Sequence, residues 1–317
     1  MVILAGDIGG TKVRLALFKE GERNWFLSEK FPSSHYQSLE EIVANFLSKH
    51  QQKVKRACFG VAGPVQHGRC VATNLPWVIE STLLAKVIGI KEVSLLNDLE
   101  ANAYGISCLR KEELLVVNPG EKNEGNAALL SAGTGLGQAG LYWDGKRHRP
   151  FACEGGHTSY APENEMELEL WRFLSQKFGH VSYERILSGP GLVSLYQFLV
   201  EKKGEKESKE IYKAQDPAKE ISRLGMEGSC PTCGRVLSLF VDIYGSESGN
   251  LCLKMLAVGG LYLGGGIAPK LSSLFLSGRF LERMTSKGRF ASLLSKIPVH
   301  LILNENAALL GAAHYVC

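Results

Sequence analysis

Two stretches of this chain are built to one plan, and that repetition constrains the fold more than any single motif. The apolar run Val2-Ile3-Leu4-Ala5 enters the tight turn Asp7-Ile8-Gly9-Gly10-Thr11. It returns as Val13, Leu15 and Leu17 alternating with Arg14, Ala16 and Phe18. A period of two marks both limbs as strands. Ala127 to Ala132 likewise runs into Gly133-Thr134-Gly135-Leu136-Gly137 and returns through Ala139-Gly140-Leu141-Tyr142-Trp143. The repeat predicts an internal duplication, two similar α/β halves that set two phosphate-gripping turns across one cleft. A length of 317 residues suits two domains, and no low-complexity linker divides them.

Further elements follow from periodicity and punctuation. A helix is expected from Ser38 to His50, with Ser38 as cap, Glu41 closing a capping box, and Leu39, Ile42, Val43, Phe46 and Leu47 as its apolar stripe. Ala57 to Ala62 and Val93 to Leu96 read as buried strands ending at Gly63-Pro64 and Asn97-Asp98. Pro162 is expected to open an acidic helix that stops at Gly179. The lysine- and glutamate-rich stretch from Glu201 to Glu220 reads as a solvated surface element rather than a binding patch. In the apolar segment from Arg235 to Val258, the small residues Gly245, Ser246, Ser248 and Gly249 predict close helix packing. Leu261-Tyr262-Leu263 reads as a strand ending in Gly264-Gly265-Gly266, and Glu305 to Val316 as a short helix.

Composition narrows the function classes. A net charge of +4 gives no reason to expect nucleic acid or a membrane surface as partner. No apolar run approaches the roughly 20 residues of a membrane span. The opening Met1-Val2-Ile3-Leu4-Ala5 lacks a basic leader, so a cytoplasmic location with eight reduced cysteines is expected. Cys230 and Cys233 form the only Cys-x-x-Cys pair. Without a second pair for zinc, it reads as a loop with two free thiols.

Three glycine-rich turns follow three apolar strands: Gly9-Gly10-Thr11, Gly133-Thr134-Gly135 and Gly264-Gly265-Gly266. Glycine lets backbone N–H groups approach phosphate oxygens, and Thr11 and Thr134 add hydroxyl donors. One such turn is commonly just a tight turn; three in one chain favour a nucleotide cradle. No Gly-x4-Gly-Lys-Ser/Thr occurs, which excludes a P-loop. Gly135-Leu136-Gly137-Gln138-Ala139-Gly140 fits the dinucleotide spacing, but it continues into strand-like residues where that fingerprint opens a helix. Asp7 beside phosphate-binding amides is a candidate to hold Mg²⁺ through water, or else a turn cap. Asn97 and Asp98 end a buried strand, where α/β proteins place ligand contacts. Asp98 can take the proton of an attacking hydroxyl and Asn97 can fix a neighbouring one, although Asn-Asp is also a common turn signal. Glu154-Gly155-Gly156-His157 could converge on sugar hydroxyls or be a plain loop.

Taken together, Asp7-Ile8-Gly9-Gly10-Thr11, Leu96-Asn97-Asp98, Ala132-Gly133-Thr134-Gly135-Leu136-Gly137, Glu154-Gly155-Gly156-His157 and Glu184-Arg185-Ile186-Leu187-Ser188-Gly189-Pro190-Gly191 resemble the bacterial glucokinase family. The resemblance spans nearly the whole chain. It implies the actin-like/hexokinase (ribonuclease H-like) fold: two α/β domains around a central cleft, residues 1–110 with 301–317 forming the small one and 111–300 the large. It implies ATP-dependent phosphorylation of D-glucose to D-glucose 6-phosphate, the first step of glycolysis, with Asp98 as general base. Asn97, Asp98, Glu154, His157 and Glu184 would bind the sugar; Glu184 rests on the resemblance alone. Gly6, Asp7, Ile8, Gly9, Gly10, Thr11, Gly133, Thr134, Gly135 and Gly265 would hold ATP, with Asp7 on Mg²⁺. The expected partners are glucose and ATP, and the expected assembly is a homodimer. Lys12 and Gln138 depart from the family's usual pattern, which bears on nucleotide affinity. The zinc motif of a related group of sugar kinases and repressors is missing.

Overall fold

A computed structural model describes residues 1–73 and 75–317. The chain divides into two compact units. Met1–Glu113, Arg149–Ala152 and Asn304–Cys317 form the first; Leu114–His148 and Cys153–Leu303 form the second.

The first unit is organised by a five-stranded sheet. Its strands are β1 (Val2–Ile8), β2 (Lys12–Lys19), β3 (Trp25–Pro32), β4 (Val54–Val61) and β5 (Ser94–Asn97), in the order β3-β2-β1-β4-β5. β1 runs antiparallel to β2 and parallel to β4, and β5 runs parallel to β4. Both faces of β1 are covered, which is why its sequence is apolar throughout rather than alternating. Leu4 and Ile8 join Ile42, Val43 and Phe46 of helix α1 (Leu39–His50) in one core. Ile3 and Ala5 join Ala101 of helix α2 (Asp98–Ile106) and Leu309 and Ala313 of the last helix, Ala307–Tyr315, in another. Ser38 caps α1 as the sequence predicts. The Glu41 carboxylate, however, accepts from Gln37 N–H at 2.9 Å rather than from the cap residue, so the reciprocal bond falls one position earlier. A small antiparallel sheet of Val65–Gln66, Arg69–Val71 and Val78–Glu80 has no counterpart in the sequence analysis, because its strands are too short to show a period.

The second sheet has six strands: β6 (Leu114–Asn118), β7 (Ala127–Ala132), β8 (Leu136–Trp143), β9 (His148–Cys153), β10 (Gly260–Gly264) and β11 (Val299–Ile302); all belong to the second unit except the middle of the edge strand β9, Arg149–Ala152, which is counted with the first. Their order is β9-β8-β7-β10-β11-β6. β7 is antiparallel to β8 and parallel to β10, which is parallel to β11. The run β8-β7-β10-β11 therefore repeats β2-β1-β4-β5 in order and sense. The two turns that look alike in sequence join equivalent strands. Because β8 continues directly from Leu136, the dinucleotide spacing in it opens no helix.

Five helices matter to the second unit: α3 (Glu165–Phe178), α4 (Gly189–Lys203), α5 (Pro217–Met226), α6 (Pro231–Met255) and α7 (Arg279–Thr285). α3 starts three residues later than expected from Pro162. Asn164, not the proline, satisfies an orphan N–H, accepting from Glu167 N–H at 3.0 Å. α6 begins before Arg235, so the Cys-x-x-Cys pair is not a loop. Cys230 is its cap and accepts from Cys233 N–H at 3.4 Å, and Cys233 is buried within its first turn. The small residues in α6 do permit close packing. A Cβ on Gly245 would stand 2.5 Å from Phe280 O, and one on Gly249 would stand 2.3 Å from Met284 O, both on α7.

Candidate active site

In the first unit the turn after β1 is fastened on three sides. Gly9 N–H donates to Lys12 O at 3.0 Å, and the Ser33 hydroxyl donates to Gly9 O at 3.1 Å. Ser33 N–H donates to Thr11 O at 3.1 Å. Ser33 is fully buried, and its place in the turn was not legible, since it follows a strand distant in sequence. Asp7 lies opposite Arg14 on β2 and Gly60 on β4. Burial pushes its carboxyl above the usual range, and the Arg14 guanidinium pulls it partly back.

Asn97 closes β5 and caps α2, so the Asn-Asp pair is a strand-to-helix junction rather than a turn. The Asn97 Oδ1 accepts from Leu99 N–H at 2.9 Å and Glu100 N–H at 3.3 Å, while its Nδ2 donates to Gly63 O at 3.1 Å. With these bonds made, one Nδ2 hydrogen is left over. Asp98 is the first residue of α2, where the positive end of the helix dipole suits a carboxylate. Its Oδ1 accepts from Leu99 N–H at 3.0 Å. α2 can come this near β4 because residue 60 is glycine. A Cβ there would stand 2.8 Å from Ala101 Cβ and 3.9 Å from Asp98 Cα. The Asp98 charge also reaches Cys70, where burial first and that charge second push the thiol up.

In the second unit Glu184 sits on the short turn Tyr183–Arg185, partly exposed. Its Oε2 accepts from Leu136 N–H at 2.9 Å, and its Oε1 lies 3.9 Å from His157 Nδ1. Gly135 makes room for it, since a Cβ there would be 2.5 Å from Glu184 Oε2. His157 ends a single 3₁₀ turn, Gly155–His157, and Glu154 stands immediately before it; both side chains are exposed. The turn lies flat on β8. Cβ atoms on Gly155 and Gly156 would come within 2.0 Å of Gln138 Oε1 and 1.9 Å of Leu136 O. Of the sequence-predicted sugar residues, His157 and Glu184 thus meet in the second unit and Asn97 and Asp98 adjoin in the first.

The second glycine turn opens on a cleft of ≈ 830 Å³, lined by Gly133, Thr134, Gly189, Gly266, Asp216 and Lys270 among others. Gly189 N–H donates to Gly133 O at 2.8 Å, tying the start of α4 to this turn. Gly265 takes φ +85°, with its Cα hydrogen toward Ala132 O, and Gly266 is the neighbour that faces the cleft. Asp216 and Lys219 of the wall end the stretch expected to be only solvated surface. A proline-led helix start at the end of a charged run carries no sequence sign of facing inward.

Comparison with known proteins bears directly on this arrangement. Residues 4–317 match the family model described as Glucokinase. The chain is 40% identical over 334 aligned residues to a glucokinase from Nostoc sp. (strain PCC 7120), covering 98% of each. It superposes on the crystal structure of a glucokinase from an Antarctic psychrotroph with a TM-score of 0.86 at 33% identity, over 99% of this chain and 98% of that one. A ROK family glucokinase from Streptomyces griseus, solved in complex with glucose and AMPPNP, shares the fold at a TM-score of 0.69 and 19% identity, over 100% and 99% of the two chains. A match of this extent, on a chain whose strands carry the motifs described above, shows that the protein is an enzyme of the glucokinase family.

Proposed function

We propose that this enzyme transfers the γ-phosphoryl group of ATP to the 6-hydroxyl of D-glucose, with Asp98 as general base. The Asp98 carboxylate takes the hydroxyl proton as the sugar oxygen bonds to the γ-phosphorus. The bond from that phosphorus to the bridging oxygen breaks, and ADP leaves. In the same proposal the two units are the α/β domains of the actin-like fold, flanking a central cleft. Asn97, Glu154, His157 and Glu184 hold the sugar. Gly6 to Thr11 and Gly133 to Gly135 hold the phosphates, and the ≈ 830 Å³ cleft receives the nucleoside.

The observation that carries this reading is how α2 begins. Asn97 spends its side chain fixing the junction, and the next residue offers a carboxylate at a helix start. Such rigidity suits a base that must meet one hydroxyl, because phosphoryl transfer depends mostly on positioning. The glucose and AMPPNP named with the Streptomyces griseus structure agree with the substrate pair.

Asp7 has the hard oxygen that Mg²⁺ prefers. Among the described residues, no group of three or more His, Cys, Asp or Glu could hold a metal. Asp7 and phosphate oxygens, with water, would make a ligand set of the kind Mg²⁺ takes, few carboxylates and several waters. When bound, Mg²⁺ neutralises charge on the phosphates. Mg²⁺, a homodimeric assembly, a cytoplasmic setting and a place at the head of glycolysis complete the proposal on the family resemblance.

A coupled assay with ATP and a panel of hexoses tests it. ADP release that requires glucose and yields glucose 6-phosphate is expected. Release that ignores added sugar would instead favour an ATPase built on the same phosphate turns.

A further inference from the structure

Beneath the turns that carry Glu154, His157 and Glu184 lies a carboxylate with no exposure at all. Glu247 projects from the middle of α6, and its side chain is 0% exposed. A buried carboxylate is costly to keep unless its oxygens are engaged, and here they are engaged in two directions. Oε1 accepts from Gln138 Nε2 at 2.8 Å. Oε2 accepts from Asn250 Nδ2 at 3.1 Å, and the same Nδ2 donates to Tyr183 OH at 2.9 Å. Lys254 Nζ is the nearest cation, 3.9 Å from Oε1.

Each direction ends under one sugar-facing turn. Gln138 is the floor of the first. Gly155 sits so close that a Cβ would reach 2.0 Å from Gln138 Oε1, and Cys153 Sγ donates to Gln138 O at 3.5 Å. Tyr183 opens the second turn, one residue before Glu184. Burial first, and then the Glu247 charge, hold the Tyr183 phenol well above its ordinary range, so it stays a neutral hydrogen-bonding group. We propose that Glu247 is a positioning residue for the sugar site. It holds the Glu154–His157 turn through Gln138 and the Glu184 turn through Asn250 and Tyr183, so one anion sets the spacing of both. The inference rests on the assignment of those two turns to the sugar.

Glu247→Gln tests it, because an amide can accept along one direction only. The other then sets N–H against N–H. Glucose KM is expected to rise about tenfold while ATP KM stays within about twofold, since the loss falls on one ligand's contacts. Exchanging partners, with Asn250→Asp added to Glu247→Gln, restores a donor facing an acceptor. It should bring glucose KM back to within about threefold of the parent. Tyr183→Phe removes only a hydroxyl and serves if Glu247→Gln does not fold; it should raise glucose KM about threefold with ATP KM unchanged. A glucose KM that stays within twofold of the parent, or glucose and ATP constants that worsen together without recovery in the exchanged pair, would overturn the role of Glu247. Failure of the sugar assignment itself would show differently, as a parent enzyme whose ADP release is indifferent to glucose.

Discussion

Burial in the fold disfavours the charged form of Asp7. Its carboxyl is raised above the ordinary 3.8 because burial outweighs the Arg14 guanidinium. The folded chain therefore binds this proton more tightly than the unfolded one. The stabilisation from that preference is fully present below the unfolded carboxyl's pKa and is lost as pH rises through the raised folded value. Asp7→Asn removes the ionisation, so Tm at pH 7 should rise by about 2 °C or more, with the gap to the parent closing in acid. Thermal scans between pH 3 and pH 8 check this. An equal gap at every pH would count against a buried charge. If Asp7 also meets Mg²⁺, the same variant should show a raised KM for MgATP. A second residue-scale expectation concerns Glu154, which is exposed and free of any capping duty toward its own turn. Glu154→Gln should raise glucose KM several-fold and leave Tm nearly unchanged, as expected for a surface substitution worth within about 0.5 kcal/mol of stability. An unaltered glucose KM would remove Glu154 from the sugar contacts.

At the scale of elements, glycine decides which backbones can touch. α2 and the last helix cross so closely that a Cβ on Gly105 would stand 1.9 Å from Ala307 O, and one on Gly311 1.8 Å from Ala101 O. Such a contact cannot be relieved by a rotamer change. Gly311→Ala should therefore cost at least ~1–3 kcal/mol, the scale of overpacking, read as a lower unfolding midpoint in denaturant. α2 carries Asp98 at its start, so a shifted helix should also depress kcat. An unchanged midpoint would show that the two helices have slack. The sequence made the elements legible where periodicity was long. α1, β7, β10 and the last helix lie within a residue or two of their expected bounds. It failed where side-chain hydrogen bonding rather than burial sets the boundary. Asn164 displaces Pro162 as the start of α3, and Cys230 caps α6 in what read as a loop. The small sheet around residues 65–80 was invisible because two or three residues cannot display alternation.

For the whole molecule, the repeated strand-turn-strand plan was the most informative feature: it led to the expectation of two similar α/β halves, and the two sheets share a core strand order that the sequence did not itself specify. The catalytic candidates were legible only as a set. Asn-Asp alone reads as a turn and Gly-Gly-His as a loop, and Glu184 came only from the family resemblance. Their supports were not legible at all: Ser33 under the first glycine turn, and Glu247 under the second unit's turns, both meet their partners across long sequence separations. In the proposed mechanism one carboxylate, at the start of α2, removes the proton from the sugar hydroxyl. The most direct measurement is kcat of Asp98→Asn in a glucose- and ATP-dependent coupled assay, with glucose binding followed by calorimetry on the same sample. A kcat reduced at least ~10²-fold with glucose still bound is the predicted result. Turnover close to that of the parent would contradict it.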